Sequence, residues 1–235
     1  CIDLSCSNLN FERTARFRLR VRVLSGRLYA ARMAAHRESE MMERQPVPVV
    51  RIGNPVLTEK ANEVAADLRS TEAFQELLGV MKATLKGNGV GLAAPQVGVP
   101  LRVFVMEDIE EWIEKDKLKD DKERSPFPFT VVINPSWVQV SAEERTFPEG
   151  CLSIPGLQGS VPRFRTIRAR WTSLTGEEVE QTLQGWQARV FQHEFDHLEG
   201  KLYLEYLKEA PLVSYPKSDE REGVDDALLR ALGLT

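Results

Sequence analysis

The sequence predicts one domain in which helices and strands are mixed, and three observations support this. Apolar residues recur at helical spacing in two stretches, one after Thr71 and one around His193. Four other segments are rich in β-branched and aromatic residues, which favour strands. Of the 235 residues, 42% are hydrophobic, which is enough for one buried core with additional tails.

We expect three regions along the chain. Residues 1–44 form an arginine-rich leader, residues 45–212 form the folded domain, and residues 213–235 form a polar tail with a short helix. Outside the leader, acidic residues outnumber basic ones, which argues against nucleic acid as a partner of the folded domain. No apolar run approaches the ~18 residues of a membrane span, so we expect none.

The leader has the composition of an organelle transit peptide. Between Arg13 and Arg37 lie eight arginines and no acidic residue. This composition predicts a mitochondrial or chloroplast location. The alternative is that translation starts at Met33 and that the preceding residues are an artefact, which would favour the cytoplasm. Three cysteines, two of them in the first six residues, cannot form a disulfide framework and indicate a reducing compartment.

The first predicted helix follows Ser70 or Thr71, either of which can cap it, and Gly87 ends it. Its apolar stripe consists of Phe74, Leu77, Leu78, Met81 and Leu85. Strands are predicted at residues 101–105, 130–140, 164–172 and 178–183. Thr175-Gly176 is the expected hairpin turn between the last two strands. The charged segment 107–124 is interpreted as a solvated loop or short helix without a function.

The strongest local motif is H-E-x-x-H, formed by residues 193–197. An apolar stripe predicts a helix here, with Gly200 as terminator, and it consists of Ala188, Phe191, Phe195, Leu198 and Leu202. Such a helix places His193 and His197 on one face with their rings roughly parallel, so that both can bind one divalent metal. Glu194 lies beside them and can reach a water on that metal. The alternative is a surface helix with two unconnected histidines.

A metal site of this type needs a third protein ligand. An extended H-E-x-x-H motif would require a histidine where this chain has Tyr203. Of the downstream glutamates, none is a clear candidate. Cys151 is the only cysteine outside the leader and lies in the turn-like segment F-P-E-G-C-L-S, residues 147–153. A lone cysteine is often just a small buried residue, but the missing ligand favours Cys151 as part of the site.

A third segment, G-V-G-L-A-A-P-Q at residues 89–96, superficially resembles a phosphate-binding loop. It follows a predicted helix and precedes a strand, which is the reverse of a dinucleotide-binding turn, and it lacks the Gly-Lys-Ser/Thr of a P-loop. Nucleotide binding is therefore excluded. Its small residues allow a ligand backbone to approach, and the amide of Gln96 can donate a hydrogen bond to an oxyanion.

Taken together, these segments resemble the three motifs of the peptide deformylase family, G-V-G-L-A-A-P-Q, E-G-C-L-S and Q-H-E-F-D-H-L. The resemblance covers residues 46–210. Within the family, the chain is most similar to the type 1 enzymes. G-W-Q-A-R and the charged insertion look most like the organelle-type enzymes of plants and algae. The resemblance implies an α+β fold in which antiparallel β-sheets wrap around a central helix carrying H-E-x-x-H. It also implies one divalent ion per chain, Fe²⁺ or Zn²⁺, held by Cys151, His193 and His197.

The resemblance further implies an activity. A peptide deformylase hydrolyses the N-formyl group from the N-terminal formylmethionine of nascent polypeptides and releases formate, and we expect it to work near the ribosome exit. Metal-bound water would be the nucleophile and Glu194 the general base and then acid. The side-chain amide of Gln96 and the backbone N–H of Leu152 would stabilise the oxyanion.

The remaining site residues are also implied by the resemblance. Those assigned to substrate binding are Val90, Gly91, Gly150, Trp186 and Val190, the last two around the methionine side chain. Glu149 and Arg163 are expected to pair and hold the Cys151 turn. Two alternatives stay open: a zinc endopeptidase that uses only the H-E-x-x-H helix, and an inactive metal-binding homologue. The second would be expected to have lost Glu194, Gln96 or Cys151, and all three are present.

Overall fold

The computed structural model describes residues 44–207, 213–214 and 230. The chain divides into two units, Cys1–Glu40 and Met41–Thr235, and every described residue belongs to the second. All but the last residue of the predicted leader and most of the predicted tail helix therefore lie outside the described residues. Within the part that is described, no helix is both long and apolar enough to cross a membrane.

The described chain contains three α-helices, which are α1 (Glu72–Leu85), α2 (Glu110–Ile113) and α3 (Gly185–Leu198). Its strands are β1 (Gly91–Ala93), β2 (Val103–Asp108), β3 (Phe127–Gln139), β4 (Glu144–Cys151), β5 (Ile154–Phe164), β6 (Thr166–Thr172), β7 (Glu178–Gln184) and β8 (Val213–Ser214). Short 3₁₀ turns lie at Pro55–Leu57, Leu68–Ser70, Ala94–Val97 and Tyr203–Tyr206.

The strands form two antiparallel sheets. One has the order β1-β2-β3-β6-β7 and the other has the order β4-β5-β8. Helix α3 packs against strands of both sheets, including β1, β2, β5 and β7. The α+β fold with antiparallel sheets around a central H-E-x-x-H helix is therefore confirmed.

Helix α1 forms as the sequence predicts. The Thr71 hydroxyl accepts a hydrogen bond from the Phe74 N–H at 3.2 Å, and Glu72 in the first turn suits the positive end of the helix dipole. The whole predicted apolar stripe is buried. Its side chains pack under β1 and β2, so α1 supports the strand that borders the site.

The predicted strands are present with shifted ends, and the hairpin turn at Thr175-Gly176 joins β6 to β7. The prediction missed β1, β4, β5 and β8. Strand β1 has only three residues, and β4 is exposed over most of its length. Prolines and glycines interrupt β4 and β5, which are residues that ordinarily argue against strands. Pairing between β4 and β5 stabilises them despite this composition.

Residues 107–124 are mostly exposed and contain the short helix α2, as expected, but some of their charged side chains pair within the fold. Asp108 ends β2 and is only 1% exposed, and Arg124 donates to its two carboxylate oxygens at 2.7 and 2.9 Å. Asp116 accepts from both Arg124, at 2.8 Å, and Lys122, at 2.7 Å. Four charged side chains of this segment therefore pair with one another, which a count of charged residues cannot reveal.

Candidate metal centre

Helix α3 presents its two histidines toward β4. The core face of the helix carries Ala188, Phe191 and Leu198, which are fully buried. The helix ends at Leu198, and Gly200 follows with a φ of 69°. Leu202 lies beyond this end and packs in a separate cluster. The predicted apolar stripe was therefore wrong in its last member.

The two histidine rings are not parallel, contrary to the prediction. Their centroids are 5.1 Å apart and their planes meet at 78°. Different partners orient them: His193 Nδ1 lies 2.9 Å from a carboxylate oxygen of Glu149, whereas His197 Nε2 lies 3.3 Å from the Cys151 sulfur. Because Glu149 occupies Nδ1 of His193, its Nε2 remains for a metal.

Cys151 is brought to the histidines by a tight hairpin. It ends β4, and a two-residue turn formed by Leu152 and Ser153 leads to Ile154, its partner in the β4–β5 ladder. The ligand atoms of Cys151, His193 and His197 all lie within 4.8 Å of one another. In a tetrahedral zinc site, a sulfur and a nitrogen ligand are about 3.5 Å apart, close to the 3.3 Å between Cys151 and His197. The residues present therefore fit a single divalent ion.

Buried atoms with unmet hydrogen-bonding capacity support this fit. Glu194 Oε2 and His197 Nδ1 are buried, and neither has a hydrogen-bond partner among the described residues. Burial and the nearby His193 lower the pKa of His197 well below its ordinary value, which favours the neutral form that binds metals. Burial also acts to lower the pKa of His193, but its bonds to Cys151 and Glu149 outweigh this and raise it.

Glu194 is almost completely buried and carries a perturbed pKa. Burial raises the pKa of Glu194 to about 7, and the positive charge of His193 only partly opposes this. A carboxylate with a pKa near neutrality can both accept and return a proton during a reaction. Glu194 is not one of the three clustered ligand residues, so it is available for that role.

Gly91 of β1 lies directly against Glu194. A methyl group built on Gly91 would lie 2.7 Å from the carboxyl carbon and 2.8 Å from Cγ of Glu194. We expect Gly91→Ala to displace the carboxylate and lower kcat/KM by about 10²-fold, because displacements near 1 Å can have effects of this size. Steady-state kinetics of the reaction that the resemblance implies, with metal content measured in parallel, check this.

Gly89→Ala is the matched control for Gly91→Ala. A methyl group there would make only ordinary contacts, the nearest at 3.7 Å to a Leu152 methyl group. It should therefore lose much less activity. Equal losses in the two variants would show that the glycines matter for loop conformation rather than for contact with Glu194.

Gln96 faces the site through its amide nitrogen. Its Oε1 accepts a hydrogen bond from the Ala93 N–H at 2.8 Å, which fixes the orientation of the amide. Its Nε2 then lies 3.4 Å from the Cys151 sulfur and 3.4 Å from the Ser153 hydroxyl. Gln96 thus presents an N–H donor beside the proposed metal position, buried to 1% exposure.

A cavity of about 600 Å³ opens over these groups. Its lining includes every residue predicted to bind substrate, namely Val90, Gly91, Gly150, Trp186 and Val190. Gln96, Leu152 and Glu194 also line it. The structure therefore brings together the residues predicted from separate segments of the sequence.

Several residues of the cavity wall were not predicted, among them Leu118, Lys122 and Arg189. The first two belong to the charged insertion, and the Lys122 ammonium lies 4.8 Å from the centroid of the Trp186 ring. Leu118 is the one apolar residue in the charged run 114–124, and this was an available signal. Arg189 is the last residue of G-W-Q-A-R. Its hydrogen-bond partners belong to distant strands, so the sequence alone could not identify them.

The predicted pairing of Glu149 with Arg163 is present. Arg163 donates to the two carboxylate oxygens at 3.1 and 3.0 Å, and both side chains are buried. Arg163 also pairs with Asp196 of α3. Burial acts to raise the pKa of Glu149, but His193 and Arg163 hold it far below its ordinary value. Glu149 is thus a fixed negative charge behind His193.

The fold and the site define a metal-dependent hydrolase with an H-E-x-x-H helix. Residues 46–211 match the polypeptide deformylase family. The chain is 42% identical over 160 residues to a peptide deformylase of Bifidobacterium adolescentis, an alignment that covers 68% of this chain and 72% of that protein. The chain therefore belongs to the peptide deformylase family. It is a hydrolase that acts on N-formylmethionyl peptides.

Plant and structural relatives agree with this assignment. The chain is 39% identical over 162 residues to peptide deformylase 1A, chloroplastic/mitochondrial, of Arabidopsis thaliana, covering 68% of this chain and 60% of that protein. A crystal structure of a class I type b peptide deformylase from Acinetobacter baumannii, with Met-Ala-Ser bound, is 34% identical. It covers 68% of this chain and 98% of that one, with a TM-score of 0.61.

Proposed function

We propose that residues 45–212 form a catalytic domain that removes the formyl group from nascent polypeptides through the site described above. Cys151, His193 and His197 would hold one Fe²⁺ or Zn²⁺ per chain. The observation that carries this proposal is the convergence of these three ligand residues beside the buried Glu194 at the floor of an open cavity. The family match, which ends at residue 211, supports the domain boundary.

Each protein group has a defined task in the proposed reaction. A bound divalent ion would lower the pKa of its water and would supply a positive charge beside the formyl oxygen. Glu194 takes the proton of the attacking water and then gives it to the departing amine. The Nε2 of Gln96 and the backbone N–H of Leu152 donate hydrogen bonds to the developing oxyanion. The orientation of Gln96 by Ala93 supports its part in this assignment.

The substrate backbone would lie along β1 and near Gly150. Strand β1 ends the order of its sheet in the described chain, as β4 does in the other sheet, and residues of both line the cavity. An extended peptide can therefore pair with an edge, which is a common mode of peptide recognition. The methionine side chain would lie against Trp186 and Val190. Met-Ala-Ser in the related structure from A. baumannii supports a methionine-first peptide as ligand.

The proposed activity predicts a selective reaction. The wild-type protein should release formate from formyl-methionyl peptides, act poorly on acetyl-methionyl peptides and leave internal peptide bonds intact. The acetyl group adds a methyl that must fit beside the backbone at Gly91, which is already in close contact with Glu194. Formate release and mass spectrometry of the products measure these outcomes. Internal cleavage of unformylated peptides would favour an endopeptidase, and metal binding without formate release would favour an inactive homologue.

The identity of the metal can be tested directly. The Cys–His–His donor set accepts both zinc and ferrous iron. Metal analysis of protein purified without oxygen, followed by exposure to air, distinguishes the two. An iron enzyme should lose activity in air because ferrous iron and its thiolate are both oxidised, whereas a zinc enzyme should retain it.

We propose an organellar location for this enzyme, a mitochondrion or a chloroplast, with nascent chains at the ribosome exit as the substrate. The arginine-rich composition of residues 1–44 and the organellar names of the plant relatives support this. Residues 1–44 fused to a fluorescent protein should direct it to an organelle in a plant or algal cell. A diffuse cytosolic signal would favour the start at Met33. A protein that begins at Gln45 should still fold and release formate.

A further inference from the structure

We propose that Arg189 is a positioning residue that fixes the spacing between the histidine-bearing helix and the cysteine-bearing strand. This inference rests on the proposed metal site. The two histidines belong to α3, whereas Cys151 ends β4, so the geometry of the site depends on how these two elements are held together. Arg189 lies on α3, one turn before His193, and it is only 4% exposed.

The guanidinium of Arg189 joins α3 to both strands of the β4–β5 hairpin. Its Nη1 donates to Glu149 of β4 at 2.5 Å and to the carbonyl oxygen of Val161 of β5 at 2.9 Å. Its Nη2 donates to the carbonyl oxygen of Arg145, near the start of β4. The rigid planar fork of a guanidinium can hold three such acceptors at fixed positions, which a lysine ammonium on a flexible stem cannot match.

Glu149 transmits this restraint to the metal ligands in two directions. It lies two residues before Cys151 on the same strand, so a fixed Glu149 limits the movement of Cys151. One of its oxygens also lies 2.9 Å from Nδ1 of His193, which orients that imidazole. Carboxylates behind metal-binding histidines commonly set the ring orientation in this way. Arg189 therefore acts on a ligand of each element through one carboxylate.

Arg189 is not needed to neutralise the charge of Glu149, because Arg163 already does so. Arg163 already pairs with Glu149 through two hydrogen bonds, so Glu149 would keep a cationic partner without Arg189. A second buried guanidinium also carries a desolvation cost, and buried ion pairs are weak contributors to net stability. Asp196, Gln192 and His193 of α3 also bond to this hairpin, each to one of its strands. Arg189 adds a single rigid group that bonds to both β4 and β5. Its contribution is thus to geometry.

Arg102 provides a matched control. It is also buried, at 8% exposure, and it donates to the carbonyl oxygen of Leu198 at 3.4 Å and to Glu199 at 2.6 Å. Glu199 keeps Lys60 as a second partner, at 3.0 Å, just as Glu149 keeps Arg163. Arg102 thus ties the end of α3 to the rest of the fold, and its hydrogen bonds reach neither Glu149 nor the three ligand residues.

The test measures metal affinity in Arg189→Met, Arg189→Lys and Arg102→Met. Zn²⁺ competition with a chelator should show about 10- to 100-fold weaker binding in Arg189→Met, the range seen when a group behind a metal ligand is removed. Arg189→Lys should recover part of this loss. Cobalt-substituted Arg189→Met should have an altered visible absorption spectrum, which reports ligand geometry without any turnover. Arg102→Met should lower Tm while keeping the wild-type affinity and cobalt spectrum.

Several outcomes would overturn the proposal. Unchanged Zn²⁺ affinity and cobalt spectrum with a raised KM would make Arg189 only part of the cavity wall. Unchanged affinity with a lowered Tm of the metal-free protein would make it only a structural residue. If Arg189→Met does not fold, Arg189→Lys provides the test. Wild-type metal affinity and a wild-type cobalt spectrum in Arg189→Lys would show that the planar guanidinium is not required. Failure of the wild-type protein to bind zinc or cobalt would instead contradict the proposed metal site itself.

Discussion

Glu194→Gln should lower the rate of formate release by at least about 10²–10⁴-fold, the range for loss of a general base. The variant should still bind about one metal per chain, because Glu194 is not among the three clustered ligand residues. Glutamine keeps the size and polarity of the side chain but cannot accept the proton of the water. The neutral amide should also be tolerated, since burial already raises the pKa of Glu194 to about 7. Metal analysis and single-turnover kinetics measure both results.

Glu199→Gln is a suitable comparison for this variant. Glu199 follows the same helix, but it pairs with Arg102 and Lys60 rather than facing the cavity. Its turnover should stay near that of the wild type. Near-normal turnover in Glu194→Gln would mean that another group activates the water. Loss of metal from Glu194→Gln would instead place this carboxylate in the ligand set.

Cys151→Ser should weaken metal binding by more than about 100-fold, beyond the range expected for residues that only support a ligand. An alcohol stays protonated where a thiol becomes a thiolate on the metal. The substitution keeps the hairpin turn, so the metal-free protein should unfold at a similar temperature to the metal-free wild type. Chelator competition with Zn²⁺ and thermal unfolding of both metal-free proteins give the two measurements.

Ser153→Ala controls for changes in the same turn. Its hydroxyl is buried 3.4 Å from the Gln96 amide, but it is outside the ligand cluster. Its metal affinity should therefore remain close to that of the wild type. Wild-type affinity in Cys151→Ser would remove the cysteine from the ligand set. Equal weakening in the two variants would assign the effect to the turn rather than to the sulfur.

The sequence predicted those parts of the molecule that depend on local pattern. Helix α1 follows from a cap and an apolar period, and both features are present. The H-E-x-x-H spacing predicted two histidines on one helical face, and the lone Cys151 was grouped with them because a third ligand was lacking. The structure places the Cys151 sulfur and a ring nitrogen of each histidine within 4.8 Å of one another.

The parts that the sequence did not predict depend on contacts between distant segments. Strands β4 and β5 contain turn-forming residues and are stabilised by pairing with each other. The angle between the histidine rings depends on Glu149 and Cys151, neither of which lies on α3. The same applies to Arg189, whose acceptors lie 28 to 44 positions away along the chain. Local periodicity contains no information about such partners.

The shortness of β1 also affects the behaviour of the protein in concentrated solution. An edge strand that can pair with a peptide can also pair with the same edge strand of another copy. Such contacts lead to aggregation. Strand β1 has three residues, so it offers a ladder only about 10 Å long. Two copies joined there would gain few backbone hydrogen bonds. A foreign peptide gains additional affinity from the adjoining cavity, so the protein can remain receptive to substrate while resisting polymerisation.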